Sequence, residues 1–238
     1  MAADTVVDRI AKVDWMRIRA SLEERGYATI GPILTVRECR ELATLYSQRE
    51  RFRSRVDMAR LRFGVGEYKY FAAPLPPLVA SLRTELYRRV APIANEWARA
   101  LRLERCFPPR LEDFLADCHR AGQVKPTPLM LRYTAGGYNC LHQDLYGEVV
   151  FPLQFTLMLS DPAREFEGGE FLLVEQTPRA QSRGHAVVLR QGEAILFGTR
   201  YRPMRGTLGW YRVKVRHGVS QLACGCRTTL GIIFHDAK

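Results

Sequence analysis

Lysine is nearly missing from this chain. Only five of its 36 basic residues are lysines, so arginine carries almost all of a formal net charge of +11 over 238 residues. Histidine is as sparse, at five. No stretch approaches the roughly 18 consecutive apolar residues that a bilayer span needs. Residues 1–14 mix Asp4, Asp8, Arg9 and Lys12 into their apolar positions and lack the unbroken apolar run of a secretory leader. The expectation is therefore a soluble, cytoplasmic protein with no membrane partner. CxxC pairs are also absent. The cysteines are Cys39, Cys106, Cys118, Cys140, Cys224 and Cys226, and Cys224-Gly225-Cys226 is too tight for an easy disulfide or a zinc knuckle. Reduced, mostly buried thiols are expected. No internal repeat and no low-complexity linker interrupts the chain. Hydrophobic residues at 47% and aromatics at 10% argue against disorder, and the length suits a single core.

What is present in excess is arginine, whose planar fork suits carboxylates, phosphates and aromatic faces. Two stretches concentrate it. Residues 49–62 hold Arg49, Arg51, Arg53, Arg55, Arg60 and Arg62 against Glu50 and Asp57. Residues 179–216 hold eight arginines and Lys214 against Glu193 alone. Each stretch reads either as a surface that tracks a phosphate backbone or as an ordinary solvated face.

The pattern changes character near residue 128. Residues 1–127 read as a mainly helical N-terminal layer that does not fold independently. Val6, Ile10, Val13 and Ile18 form a loose helical stripe, followed by a short extended piece, 28–33. Thr35 with Glu38 makes a capping-box pattern that opens a helix reaching about Arg53. Further helices are expected over 78–101 and 111–119, with a loop over 63–77. Residues 128–238 instead alternate short extended segments with turn signals. Strands are expected at 129–133, 151–159, 169–175, 186–189, 194–197, 211–217 and 228–234. The fold class implied is α+β: a jelly-roll core with the helices padding one of its sheets.

His142 and Asp144 are two residues apart, so in an extended chain both side chains leave on one face. They offer two of the three ligands of a 2-His-1-carboxylate Fe(II) site, a geometry that leaves coordination positions open. His217, at the end of an expected strand 73 residues after Asp144, is the candidate third ligand. Arg227 follows ten residues later at the start of an apolar strand, where a lone cation needs an anionic partner. The distal carboxylate of 2-oxoglutarate is such a partner, held by the fork of the guanidinium. Tyr133, nine residues before His142, is placed to hydrogen-bond the same carboxylate. Tyr68, Tyr70 and Phe71 either form a base-stacking lid or pack the helical layer on the sheet. Tyr138 and Tyr146, close to the metal motif, are candidates for substrate contact. His235-Asp236 reads as structural.

The order Tyr133, His142-Gln143-Asp144, His217-Gly218-Val219-Ser220, Arg227 resembles the Fe(II)/2-oxoglutarate-dependent dioxygenase superfamily over residues 128–236. A narrower resemblance is to bacterial nucleic-acid oxygenases acting on damaged DNA. It is carried by Gly66-Glu67-Tyr68-Lys69-Tyr70-Phe71, by Asn139-Cys140-Leu141-His142-Gln143-Asp144-Leu145-Tyr146-Gly147-Glu148, and by Gly168-Gly169-Glu170-Phe171. Arg216 to Ser220 and Leu230 to Ala237 continue it. The resemblance implies a double-stranded β-helix, with His142, Asp144 and His217 as iron ligands and catalytic residues, and Arg227 and Tyr133 binding 2-oxoglutarate. It implies hydroxylation of a C–H bond by O2 with release of succinate and CO2, as in oxidative demethylation of alkylated nucleic acid during DNA repair. Such chemistry needs its base in a single strand or flipped out of a duplex. The chain departs from the DNA-dealkylating branch in one respect: no second arginine follows Arg227 on the last strand, where Thr228 to Phe234 stand. Its ten-residue His-to-Arg spacing is closer to prolyl hydroxylases. A protein (prolyl-type) hydroxylase and a catalytically silent nucleic-acid-binding β-sandwich are therefore the alternatives.

Overall fold

The structure, a computed structural model, describes residues 4–238. Chain order runs through helices α1 (Val6–Ala11) and α2 (Trp15–Arg25), strand β1 (Tyr27–Ile30), α3 (Val36–Leu45), and strands β2 (Phe52–Asp57), β3 (Gly64–Val65) and β4 (Glu67–Phe71). Two longer helices follow, α4 (Pro77–Ala100) and α5 (Leu111–Arg120). The strands β5 (Leu129–Thr134), β6 (Tyr138–His142), β7 (Leu153–Met158), β8 (Phe166–Gly168) and β9 (Phe171–Gln176) come next. The chain ends with β10 (Arg183–Val187), β11 (Ala194–Gly198), β12 (Tyr201–Gly206), β13 (Gly209–Val219) and β14 (Leu222–Ile232). Eight strands make a major sheet in the order β1-β11-β7-β14-β5-β4-β2, with β8 joined to β14. Six make a minor sheet, β10-β9-β13-β6-β3, with β12 joined to β13. Every pairing is antiparallel. Among the described residues no helix is long and apolar enough to cross a membrane. All six cysteines are free, but only Cys39 and Cys118 are buried, so the expectation of mostly buried thiols is not met.

The major sheet has two unlike faces because strand side chains alternate. Leu157, Leu196, Leu230 and Ile232 point to one side, where Leu82, Leu86, Val90, Ile93 and Trp97 of α4 meet them in the larger apolar core. These helical positions recur three or four residues apart, which gives α4 one continuous apolar stripe. The opposite side of the sheet faces the minor sheet and encloses the site. The helices thus pad one sheet, the arrangement anticipated from the pattern.

The N-terminal part is less helical than its sequence suggests. The expected helix from Thr35 keeps its capping box but stops at Leu45. Beyond it Phe52, Ser54 and Val56 alternate with Arg53, Arg55 and Asp57, a period of two that builds β2, and Phe52 stacks on Phe71 at 4.8 Å. The expected loop over 63–77 contains β3 and β4, where Tyr68 and Tyr70 are good strand formers on a pleated surface. With β1, four strands from residues 1–127 are hydrogen-bonded into the two sheets. In the later part β6, β8 and β12 add to the expected set, and β10 begins three residues earlier than expected. Strand β14 begins six residues earlier, so Arg227 lies within that strand and not at its start. Pro203 hid β12, since proline inside a run argues against a strand interior; here β12 pairs on one side only, with β13.

Candidate metal centre and its cavity

His142 is the last residue of β6, and His217 lies directly opposite it on β13. Asp144 comes just past the end of β6. Its carboxylate lies between the two rings: Oδ2 is 3.2 Å from Nε2 of His217, and Oδ1 is 3.5 Å from Nε2 of His142. One donor atom from each of the three residues falls within 4.8 Å of the others, a group able to hold a metal ion. The neighbours orient each donor. Nδ1 of His142 donates to the carbonyl of Cys140 at 2.8 Å, which leaves Nε2 with its lone pair free. Tyr146 donates its hydroxyl to Asp144 Oδ1 at 2.7 Å. The His217 ring packs against Phe197 at 4.7 Å and lies nearly parallel to Phe171 at 5.9 Å. Burial opposes ionisation of Asp144, but the two imidazoles outweigh it and hold the carboxyl well below its usual range. Burial, followed by the charge of His142, pushes His217 down. The first shift favours an anionic carboxylate and the second a neutral imidazole, the forms that ligate metal. On His142, by contrast, burial is outweighed by the hydrogen bond and charge of Asp144, which raise it.

The three residues open onto a cavity of about 250 Å³ between the sheets. Its far wall follows from register. Arg227, Thr229 and Gly231 of β14 pair with Tyr133, Leu131 and Leu129 of β5, and Leu131 and Leu129 pair with Tyr68 and Tyr70 of β4. Each trio alternates with residues facing the helices, so all line the cavity. Arg227 is 1% exposed, yet its Nε and Nη2 have no hydrogen-bond partner among the described residues. Burial alone draws its guanidinium down to about 10. The guanidinium lies 5.7 Å from the centre of the Tyr133 ring. Gly169, with φ +64°, makes room for it: a Cβ there would stand 3.0 Å from Arg227 Cδ and 2.5 Å from Leu222 Cδ1.

All five residues singled out from sequence, His142, Asp144, His217, Tyr133 and Arg227, line this one cavity. Tyr68, Tyr70 and Tyr146 line it too, whereas Phe71 packs in the helix-facing core and Tyr138 lies outside the lining. His235 and Asp236 are structural: Nδ1 of His235 accepts the Phe151 amide, and Asp236 pairs with buried Arg83 at 2.8 Å. Three contributors escaped the sequence reading. Asn139 donates to the Tyr133 hydroxyl at 3.1 Å. Gln154 Nε2 and Thr229 Oγ1 are buried, line the cavity and lack partners among the described residues. The only sequence signal for Asn139 was its place in the segment 139–148. Gln154 and Thr229 lie inside apolar strands with none.

A family model described as an oxygenase catalysing oxidative methylation of damaged DNA matches residues 66–237. The chain belongs to that family. As an oxygenase of this kind it is 52% identical over 167 residues to the uncharacterized protein Rv2227 of Mycobacterium tuberculosis (strain H37Rv), covering 70% of this chain and 72% of that one. Solved structures share its fold. A prolyl-4-hydroxylase from Pseudomonas putida aligns with a TM-score of 0.53 at 15% identity, over 91% of the oxygenase and 96% of its own chain. A 2OG-Fe(II) oxygenase-family oxidoreductase from Burkholderia pseudomallei aligns with 0.56 at 13% identity, over 95% and 93%. The jelly-roll class expected from the strand pattern is thus the observed one.

Proposed function

We propose that the chain is an Fe(II)- and 2-oxoglutarate-dependent dioxygenase that hydroxylates a C–H bond, with oxidative demethylation of alkylated nucleic acid as its reaction. One observation carries this reading: a His142-Asp144-His217 donor set and an unpartnered, fully buried guanidinium open on the same cavity. Leaving a cation unpaired in a protein interior is costly, and no carboxylate of the described residues reaches Arg227. A dicarboxylate that chelates a metal at one end and meets a guanidinium at the other fits both features. The donor set also fits the ion, since two imidazoles and one carboxylate are the facial ligands of non-haem Fe(II).

In this reading His142, Asp144 and His217 would hold the iron, and Arg227, beside Tyr133, would hold the distal carboxylate. Iron and 2-oxoglutarate together supply the oxidising power, releasing succinate and CO2 as O2 is consumed. The protein's part is placement. Asn139 turns the Tyr133 hydroxyl toward the cavity, Tyr146 fixes one oxygen of Asp144, and Phe171 and Phe197 fix the plane of His217. Tyr68, Tyr70, Leu129 and Leu131 make an apolar wall that keeps bulk water from the reacting carbon. Hydroxylation of an N-methyl group gives a hemiaminal that sheds formaldehyde. The nucleic-acid substrate draws support from the family's description, from residue 66 onward, and from the net charge. The His217-to-Arg227 spacing supports protein hydroxylation as a second reading.

The test is anaerobic loading of the purified protein with Fe(II) and 2-oxoglutarate, then succinate release with methylated oligonucleotides and with proline-containing peptides. A metal-to-ligand charge-transfer band that is lost in His142→Ala and Asp144→Ala, with turnover raised by methylated oligonucleotide alone, is the expected result. An absent band overturns the cofactor assignment. Stimulation by peptide alone overturns the nucleic-acid substrate.

A further inference from the structure

The structure separates the two arginine-rich stretches. In residues 49–62 two of the six arginines are ion-paired, Arg55 with Glu67 and Arg60 with Asp57 at 3.6 Å, and Arg53 lies over the Tyr70 ring at 4.5 Å, while Arg49, Arg51 and Arg62 have no ion-pair partner among the described residues. In residues 179–216 Arg202 is buried against Glu175. Five further cations lie on or beside the β12–β13 hairpin. Arg200, Arg205, Arg212, Lys214 and Arg216 have no ion-pair partner among the described residues.

Strand alternation puts four of these five on one face. Val213, Val215 and His217 of β13 point into the protein and are buried, so Arg212, Lys214 and Arg216 point out. Across the hairpin, Tyr201 pairs with Lys214 and Arg205 with Trp210, on the same outward side. Arg200 joins them through Tyr201, whose ring has guanidinium groups of Arg200 at 4.9 Å and Arg212 at 5.1 Å. On β9 the outward residues opposite Lys214 and Arg216 are Gln176 and Val174, so the strands add no carboxylate there. Acids border the far end of the hairpin, where Glu23 and Glu96 line a groove with Pro203 and Trp210, and both are ion-paired with Arg19.

This face is fastened to the metal-binding segment. Gln143, between His142 and Asp144, donates its amide to the carbonyls of Arg200 at 3.0 Å and Val215 at 2.7 Å. The root of the hairpin therefore sits against the cavity lining, while its tip reaches solvent at Leu208 and Trp210. A polymer lying along the hairpin would meet unneutralised cations in sequence, the electrostatic term that holds single strands without regard to sequence.

We infer that the outer face of the β12–β13 hairpin is the track for the sugar–phosphate backbone of a single-stranded nucleic acid whose target base enters the cavity. The inference rests on the nucleic-acid reading proposed above and assigns that substrate its docking surface.

Binding of an unmodified single-stranded oligonucleotide of about twelve nucleotides to the full chain, followed by fluorescence anisotropy across a salt series, tests it. Arg205→Gln/Arg212→Gln/Lys214→Gln should bind roughly tenfold or more weakly near 0.1 M salt, with a log–log salt slope shallower by about 2. Its thermal midpoint checks folding, and Arg205→Gln alone should flatten the slope by about 0.7. Arg55→Gln/Arg60→Gln should bind as the parent does. Parent binding with unchanged slopes in the hairpin variants overturns the docking face alone. No binding by the parent overturns the nucleic-acid reading with it. Competition by polyglutamate as strong as by oligonucleotide assigns the face to an acidic protein and overturns the inference.

Discussion

Arg202 and Arg227 are each 1% exposed, both sit between the two sheets, and they solve the same physical problem in opposite ways. Arg202 brings its counter-charge with it. Its Nε and Nη2 both donate to Glu175, the second at 3.2 Å, and Nη1 reaches the carbonyl of Glu23, also at 3.2 Å. The surroundings are shaped to this pair: Gly26, with φ +79°, ends α2, and a Cβ there would stand 2.3 Å from Glu175 Oε1. Arg227 has an equally shaped niche, with Gly169 beneath it and Tyr133 beside it, but no anion. The difference teaches what each cation is for. A buried charge closed by its own chain is part of the architecture. One left open toward a cavity has a desolvation that the described residues do not offset, which is what the proposed ligand role of Arg227 rests on.

Three measurements bear on that contrast. The largest effect is expected for Arg202→Met, which strands Glu175 in the interior and should lower unfolding stability in urea by about 3–5 kcal/mol. A loss under about 1 kcal/mol would show that the pair is not closed. Arg227→Met comes next and acts on the ligand instead of the fold. Without 2-oxoglutarate its stability should equal or exceed that of the parent, since an unpaired buried charge is removed. With 2-oxoglutarate at ~100 times its Kd the parent gains about 2.7 kcal/mol, and the variant should gain nothing. An unfolded variant, or one that keeps the ligand's stabilisation, breaks the comparison. The smallest effect is expected at a half-exposed pair. Glu67 accepts from the Tyr46 hydroxyl at 2.6 Å and pairs with Arg55. Burial works against its ionisation, but those partners prevail and hold its carboxyl below 4.5. Glu67→Gln should cost roughly 1 kcal/mol or less at neutral pH. Because the folded carboxyl titrates lower than the unfolded one, its stabilisation is complete above about pH 4.5 and fades as pH falls through the folded value. Parent and variant stabilities should therefore converge in acid, and a gap that widens there would contradict the sign.

Sequence and structure agree where a residue's role depends on its near neighbours. The spacing of His142 and Asp144 and the strand that carries His217 are local patterns, and both led to the same cavity. Arg227 lies inside β14, which begins at Leu222, and not at the start of a strand. Helix α4 was legible for the same reason: its apolar stripe repeats for six turns. Strand β2 was not. Its alternation is short and loaded with arginine, and it is stabilised by Phe71 and by pairing with β4, partners that local propensity does not register.

The sequence by itself determined the chemistry on offer: a two-histidine, one-carboxylate donor set, a lone arginine beside an apolar run, and a surplus of guanidinium groups. The sequence already pointed to Arg227, but only the tertiary structure shows that its guanidinium is left without a partner among the described residues while that of Arg202 is paired. Arg202 and Arg227 look alike in sequence, each beside small or apolar residues with no acid adjacent. Glu175, 27 residues from Arg202, reaches it only because β9 and β12 flank β13 in the folded minor sheet. Charge compensation acts through space over a few ångströms, and folding sets which residues come that close.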